Sequence, residues 1–239
     1  MKKTKTEGKR KAELVFILDR SGSMRGLESD TIGGYNAMMD KQRAIGGDIT
    51  VTTVLFDDQY ELLHDRVKLD ELKPMTDKEY FVRGMTALID AVGKTVLKIE
   101  NAQAHTAKEH RADKVIFVIT TDGYENASRE FLLKDVKQMV EQKRETEGWE
   151  FIFLGANIDS IGTAEQFGIR GSRALNYCAT SRGIELKDEV IGDMVREMVK
   201  NSELMSDIEF DSISAKLREF CETPDASDAP EEGKKEGSL

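Results

Sequence analysis

The sequence predicts an open, doubly wound α/β fold, in which helices cover both faces of a mostly parallel sheet. Two apolar runs, at residues 14–18 and 115–119, have the length and composition of strands that are buried on both faces. Each run leads to an acidic residue, Asp19 or Asp122, where the chain would leave the core. The 239 residues are enough for one such domain with a core on each side of the sheet.

The segment after the first strand predicts a helix that Ser29 or Asp30 would cap. Its apolar side carries Ile32, Tyr35, Met38 and Met39. The internal pair Gly33-Gly34 lowers the helix propensity, so we expect a neighbouring backbone to approach closely there.

A hairpin follows this helix. Residues 49–56 are rich in β-branched side chains and predict a strand. Asp57, Asp58 and Gln59 have turn-forming composition, and a second strand is expected from Tyr60. The sheet should therefore have one antiparallel edge strand. Asp57 and Asp58 are interpreted as turn formers rather than metal ligands.

The rest of the chain alternates helices and strands. Five helices are expected: one from residue 88, one over 129–146, a short one after a cap at Asp159, one over 184–201 and one over 206–221. Three strands are expected, over 114–120, 150–156 and 173–177. Residues 1–11 are interpreted as a disordered basic arm, 12–205 as a single α/β domain, 206–221 as a C-terminal helix and 222–239 as a disordered acidic tail.

The composition of the chain argues against several classes of function. The formal net charge of −10 argues against a nucleic-acid surface. No apolar stretch is long enough for a membrane span, and the N-terminus lacks the apolar region of a secretory signal, so we expect a cytoplasmic protein that does not bind membranes. Cys178 and Cys221 are expected to be free thiols in that reducing compartment, and the protein to be a monomer on its own.

The candidate site begins with the pattern D-x-S-x-S at the end of the first strand. Asp19, Ser21 and Ser23 place three oxygen side chains within five residues, and hard cations such as Mg²⁺ prefer oxygen ligands. Alone, the pattern is equally compatible with a polar turn that caps the next helix.

Two further stretches favour the metal site. Asp122 follows the second apolar run, and Thr86 follows a glycine turn at the start of a helix. Ligands of open α/β sheets bind at the carboxyl ends of the strands where the strand order reverses, so the two carboxylates should face each other there. A divalent cation would offset their repulsion.

These five residues, in this order, resemble the metal-ion-dependent adhesion site of von Willebrand factor A (vWA) domains, with all five positions of the site intact. The resemblance covers roughly residues 11 to 200 and is closest to intracellular bacterial and phage-type members, through the patterns DRSGSM, GMTALIDA and TDGYENAS. It implies a Rossmann-like fold and a bound Mg²⁺ or Mn²⁺. It also implies direct ligation by Ser21, Ser23 and Thr86, and ligation through water by Asp19 and Asp122.

The resemblance implies a protein-binding module rather than an enzyme, in which the metal recruits an Asp or Glu of a protein partner. A metal-dependent phosphohydrolase that uses Asp19 is the enzymatic alternative. It is disfavoured because Ser21 stands where such enzymes carry a second acid, and a hydroxyl is no general acid or base. A scaffold with a purely structural metal is a third hypothesis. Glu125 and Asn126 would contact a partner or fix the metal ligands, and a cap of the following helix by Asn126 or Ser128 is an equally good interpretation.

Overall fold

The strands of the computed structural model, which describes residues 10–201 and 203–222, form one six-stranded sheet. They are β1 (Lys11–Asp19), β2 (Asp48–Phe56), β3 (Tyr60–Lys68), β4 (Lys114–Thr121), β5 (Glu150–Gly155) and β6 (Ala174–Asn176). The strand order is β3-β2-β1-β4-β5-β6. Only the β2–β3 pair is antiparallel in this sheet, as the hairpin predicted.

Helices cover both faces of the sheet. They are α1 (Glu28–Ile45), α2 (Leu88–His105), α3 (Leu133–Glu147), α4 (Ser160–Gln166), α5 (Ser181–Lys200) and α6 (Asp207–Glu222). Side chains of α1, α5 and α6 belong to one hydrophobic core, and side chains of α2, α3 and α4 belong to the other. The predicted doubly wound architecture is confirmed. No helix of the described residues is long and apolar enough to cross a bilayer.

β1 shows how the apolar run builds both cores. Successive side chains of a strand point to opposite faces, so Leu14 and Phe16 enter the core beneath α1 and α5. Val15 and Ile17 enter the core beneath α2. All four side chains are buried. The run is continuously apolar because both faces of the strand are buried. The strand leaves the core at Asp19.

Three helices begin where the sequence did not predict. α5 begins at Ser181 rather than residue 184, with Thr180 as its N-cap. The N-cap of α1 is Leu27, without a side-chain cap, so the expected cap at Ser29 or Asp30 is wrong. Asp30 instead accepts a hydrogen bond from the Ser181 hydroxyl, 2.7 Å away. α3 begins at Leu133 rather than residue 129, because the backbone amides of 129–131 donate to Asp90 and not to a helix. Asp159 does cap α4, accepting from the Gly162 amide.

The expectation of two free thiols is wrong. Cys178 and Cys221 are joined in a disulfide, with their Cα atoms 5.7 Å apart. The sequence hid this pairing, because 43 positions separate the two cysteines and only the packing of α6 against α5 and β6 brings them together. Apart from residues 10, 11 and 222, the expected basic arm and acidic tail lie outside the described residues, and Lys11 already belongs to β1.

Of the two adjacent glycines in α1, Gly34 lies close to a neighbouring helix and Gly33 does not. A Cβ atom at Gly34 would lie 1.8 Å from Oδ2 of Asp188, whereas one at Gly33 would meet nothing within 4 Å. The close neighbour of Gly34 is thus a carboxylate of α5 rather than a backbone. Asp188 is buried, and its other carboxylate oxygen lies 3.2 Å from Nζ of Lys187.

Candidate metal centre

The candidate centre lies where the strand order reverses. Asp19 is the last residue of β1, and Asp122 follows the last residue of β4, the strand beside it. β2 lies on the other side of β1, so successive crossovers leave this point in opposite directions. Such a switch point opens a crevice at the carboxyl edge of the sheet, where α/β proteins bind their ligands.

Asp19 is buried and held by three hydrogen bonds. Its Oδ1 accepts from the Ser21 amide at 2.7 Å, and its Oδ2 accepts from the Thr121 hydroxyl at 2.6 Å. Its backbone carbonyl accepts from the hydroxyl of Tyr80, also at 2.6 Å. The carboxylate is therefore fixed in orientation before any ligand arrives. The sequence reasoning missed Tyr80, because a tyrosine 61 positions away in a loop gives no local signal.

The two serines link Asp19 to the second acid. The hydroxyls of Ser21 and Ser23 lie 3.1 Å apart, and the Ser23 hydroxyl donates to Oδ1 of Asp122 at 2.5 Å. A Cβ atom placed on Gly123 would lie 3.5 Å from the hydroxyl oxygens of both Ser23 and Thr86. The three hydroxyls and the two carboxylates that the sequence proposed are thus brought to one place.

The Thr86 loop is held against both strand ends. The backbone amide of Thr86 donates to Oδ1 of Asn126 at 2.8 Å. The backbone amide of Asn126 donates in turn to the carbonyl of Thr86 at 3.0 Å. The Gly22 amide donates to the Gly84 carbonyl at 3.2 Å. Gly84 has φ +67°, and a Cβ atom there would lie 2.0 Å from Oδ1 of Asp58. The positive φ and this close approach together favour glycine in the turn.

The segment 125–128 caps α2 instead of α3. Glu125 Oε2 accepts from the Ile89 amide at 2.8 Å, and the Ser128 hydroxyl accepts from the Asp90 amide at 3.0 Å. These amides belong to the first turn of α2, which has no partners for them within the helix. Asn126 therefore supports Thr86, and Glu125 supports the start of α2. Among the residues that the structure describes, neither Asn126 nor Ser128 caps α3.

Burial dominates the electrostatics of the two acids. It raises the pKa of Asp19 to about 6, although hydrogen bonds from Thr121 and Ser21 oppose the shift, and the nearby charge of Asp122 adds to it. Burial also raises the pKa of Asp122, against the hydrogen bond from Ser23. A divalent cation beside these carboxylates would offset both the burial and the repulsion, so the donor set fits such an ion.

Arg20 is not the counter-ion of Asp19, although it follows it in sequence. Its side chain is fully buried and its Nε lies 3.0 Å from Oδ2 of Asp57, while Nη2 lies 2.7 Å from Glu61. Arg83 also contacts Asp57, at 2.6 Å. Asp57 thus combines this ion pair with its predicted role in the turn, where Oδ1 accepts from the Gln59 amide. The sequence reasoning did not find this network.

The centre does not depend on a cluster of charged ligands. Among residues 10–201 and 203–222, no group of three or more His, Cys, Asp or Glu side chains is placed to hold a metal ion. Any ion at this centre would have at most two carboxylates near it and would rely on hydroxyl and water oxygens. Oxygen-rich, partly hydrated coordination of this kind suits Mg²⁺ and Mn²⁺.

Solved structures share this fold. The vWF domain of the type V pili tip protein Mfa5 from Porphyromonas gingivalis matches 82% of this chain and 99% of its own, with a TM-score of 0.58 and 10% identity. The PilB minor pilin from Streptococcus sanguinis matches 81% of this chain at TM-score 0.57 and 11% identity. This chain covers 63% of that pilin, less than two thirds of its length.

A third similar structure contains a bound metal ion. It is proximal thread matrix protein 1 from the mussel byssus with a zinc-occupied MIDAS motif, matched over 78% of this chain and 46% of that chain at TM-score 0.50 and 16% identity. No protein-family profile and no curated protein sequence matches this chain. At these identities the likeness establishes the fold: this chain has the α/β fold of vWA domains.

Proposed function

We propose that this protein is a divalent-metal-dependent protein-binding module, in which Mg²⁺ or Mn²⁺ recruits an acidic side chain of a partner protein. The observation that carries the proposal is the convergence of Asp19, Ser21, Ser23 and Asp122 through hydrogen bonds, with the Thr86 hydroxyl beside them. The occupied motif of the mussel protein supports a divalent ion at this kind of centre.

The chemistry of the ligands supports recruitment of an anion. In this proposal Ser21, Ser23 and Thr86 bind the ion directly, and Asp19 and Asp122 act through water. Neutral hydroxyls leave the ion more of its positive charge than carboxylates in direct contact would. An open coordination position would then attract a carboxylate from outside through a charge-assisted contact.

A hydrolytic role is less well supported. Both oxygens of Asp19 already accept hydrogen bonds, from the Ser21 amide and the Thr121 hydroxyl. Ser21 stands where a phosphohydrolase would need a general acid or base, and a hydroxyl does not serve in that role. We therefore propose a binding protein and not an enzyme. We also propose that the protein is a monomer. The Cys178–Cys221 disulfide argues against the expected cytoplasmic location, because disulfides are rare in a reducing compartment.

Equilibrium binding of Mn²⁺, measured by the loss of its free electron paramagnetic resonance signal, tests the metal centre. We expect the wild type to bind one ion per chain and Thr86→Ala to bind it at least about tenfold more weakly, since one direct ligand is lost. Thr146→Ala is the matched control, because Thr146 is exposed on α3 and hydrogen-bonds within its own helix. Equal affinity of all three proteins would contradict the proposal.

Retention of a partner tests recruitment. Wild type and Thr86→Ala, each with Mg²⁺ or with EDTA, are compared for capture of proteins from the source cell. A protein retained only by the wild type with Mg²⁺ is the expected result. If chelation lowers the melting temperature while retention stays the same in all four samples, the metal is structural and the binding proposal is wrong.

A further inference from the structure

Several exposed apolar side chains lie on segments next to the candidate metal centre. Seven large apolar side chains among the described residues are exposed. Three of these lie on the loops next to the proposed ligands, and a fourth lies in the first turn of α4. We call these four the apolar rim: Phe81, Met85, Tyr124 and Ile161. Soluble proteins seldom gather exposed apolar groups around a polar centre unless a ligand covers them.

Two members of the rim lie next to proposed ligands in the sequence. Met85 lies between Gly84 and Thr86 and is half exposed, and Tyr124 comes two residues after Asp122. The hydroxyl of Tyr124 accepts from the Asp159 amide at 3.2 Å. This bond brings the start of α4, which carries Ile161, beside the Asp122 loop. It also anchors the tip of a tyrosine whose side chain is 60% exposed.

Phe81 is ordered by two arginines. The guanidinium carbons of Arg20 and Arg83 each lie 5.2 Å from the centre of its ring. Both arginines are in turn fixed by Asp57. Phe81 and Tyr124 are therefore aromatic groups that are exposed and held in place. Aromatic groups that lose little freedom on binding are typical energetic anchors of protein interfaces.

We infer that the apolar rim and the metal centre together bind a protein segment in which one acidic side chain is flanked by aromatic or aliphatic residues. The inference rests on the proposed function and specifies its partner. Charge complementarity selects this occupant: a loaded centre attracts one carboxylate, and the rim offers apolar contacts around it. A strongly acidic segment is disfavoured by the net charge of −10, which repels further negative groups.

Selection from a display library tests the inference without a known partner. The library holds short random peptides with a fixed central glutamate, and peptides retained in Mn²⁺ are eluted with EDTA. We expect the eluted peptides to be enriched in Phe, Tyr, Trp, Leu, Ile or Met beside the glutamate. Mn²⁺-dependent enrichment with polar or basic neighbours would overturn the inference and leave the proposed function standing. No Mn²⁺-dependent enrichment would contradict both.

Variants locate the binding surface. One enriched peptide is titrated by fluorescence polarisation in Mn²⁺ against wild type, Met85→Ser, Tyr124→Ser and Ile208→Ser. We expect Met85→Ser and Tyr124→Ser to weaken binding about tenfold with unchanged Mn²⁺ affinity. Ile208 is the control, because it is 81% exposed on α6, outside the rim. Unchanged peptide affinity in both rim variants, or an equal loss in Ile208→Ser, would overturn the inference.

Discussion

At the scale of single residues, the buried charge of Arg20 sets the hairpin turn beside the metal loop. Its guanidinium contacts Asp57, and both side chains are fully buried. Arg83, which is partly exposed, supplies a second contact to the same carboxylate. Removing one partner of a buried pair leaves the other charge without full compensation, which costs more than the pair itself contributes.

We predict that Arg20→Met lowers the free energy of unfolding by about 3 kcal/mol. The double variant Arg20→Met/Asp57→Asn should recover part of that loss, because the asparagine is neutral and can still accept from the Gln59 amide. Urea unfolding of the two variants and the wild type gives the comparison. A double variant less stable than Arg20→Met would contradict this account of the pair.

His64 makes stability depend on pH. Burial lowers its pKa, and its Nδ1 lies 3.1 Å from the Thr53 hydroxyl. A group whose pKa is lowered by folding stabilises the folded state above its unfolded pKa, and this stabilisation is lost as the pH falls through the folded pKa. His64→Gln should therefore show a smaller decrease in unfolding free energy than the wild type between about pH 7.5 and 5. Parallel curves for the two proteins would contradict this.

At the scale of elements, the packing of α1 on α5 depends on one glycine of a pair. We predict that Gly34→Ala lowers the free energy of unfolding by about 2 kcal/mol, because its methyl group would overlap the buried Asp188 carboxylate. Gly33→Ala, in open space one position earlier, should raise it by up to about 1 kcal/mol through helix propensity. Thermal unfolding measures both, and equal shifts in the two variants would contradict the packing argument.

The disulfide fixes α6 to the end of β6. Because Cys178 and Cys221 enclose 43 positions, the chain-entropy argument gives a stabilisation of about 4 kcal/mol. Cys221→Ser should be less stable than the oxidised wild type by about that amount. The addition of a reductant should lower the free energy of unfolding of the wild type and leave that of Cys221→Ser unchanged. Unfolding in urea with and without dithiothreitol measures this. A wild type that is insensitive to reductant under unfolding conditions would contradict the pairing.

The strands and the starts of α2 and α4 were predictable here, and the starts of α1, α3 and α5 were not. The runs at β1 and β4 are apolar because both faces are buried, and this pattern is local in sequence. The first turn of α2 is capped by Glu125 and Ser128, more than thirty positions away. The amides before α3 are taken by Asp90. Contacts of this kind satisfy the amides at the start of a helix and leave no mark in the sequence of the helix itself.

At the scale of the whole molecule, the topology makes the candidate site possible. Asp19 and Asp122 are 103 positions apart, yet β1 and β4 are adjacent strands that end at the same edge. The sequence motifs predicted the five candidate ligands, and the strand order explains how these residues come together. The support around them, such as Tyr80 at the Asp19 carbonyl, depends on loop packing that no sequence pattern revealed.

In the proposed metal centre, Ser21, Ser23 and Thr86 bind a divalent ion directly, near Asp19 and Asp122. Anomalous X-ray diffraction from a crystal grown in Mn²⁺ tests it most directly, because the manganese signal locates the ion independently of any interpretation of the ligands. We predict one strong anomalous peak at bonding distance from the three hydroxyl oxygens. An occupied Mn²⁺ site elsewhere, with no peak among these hydroxyls, would contradict the account.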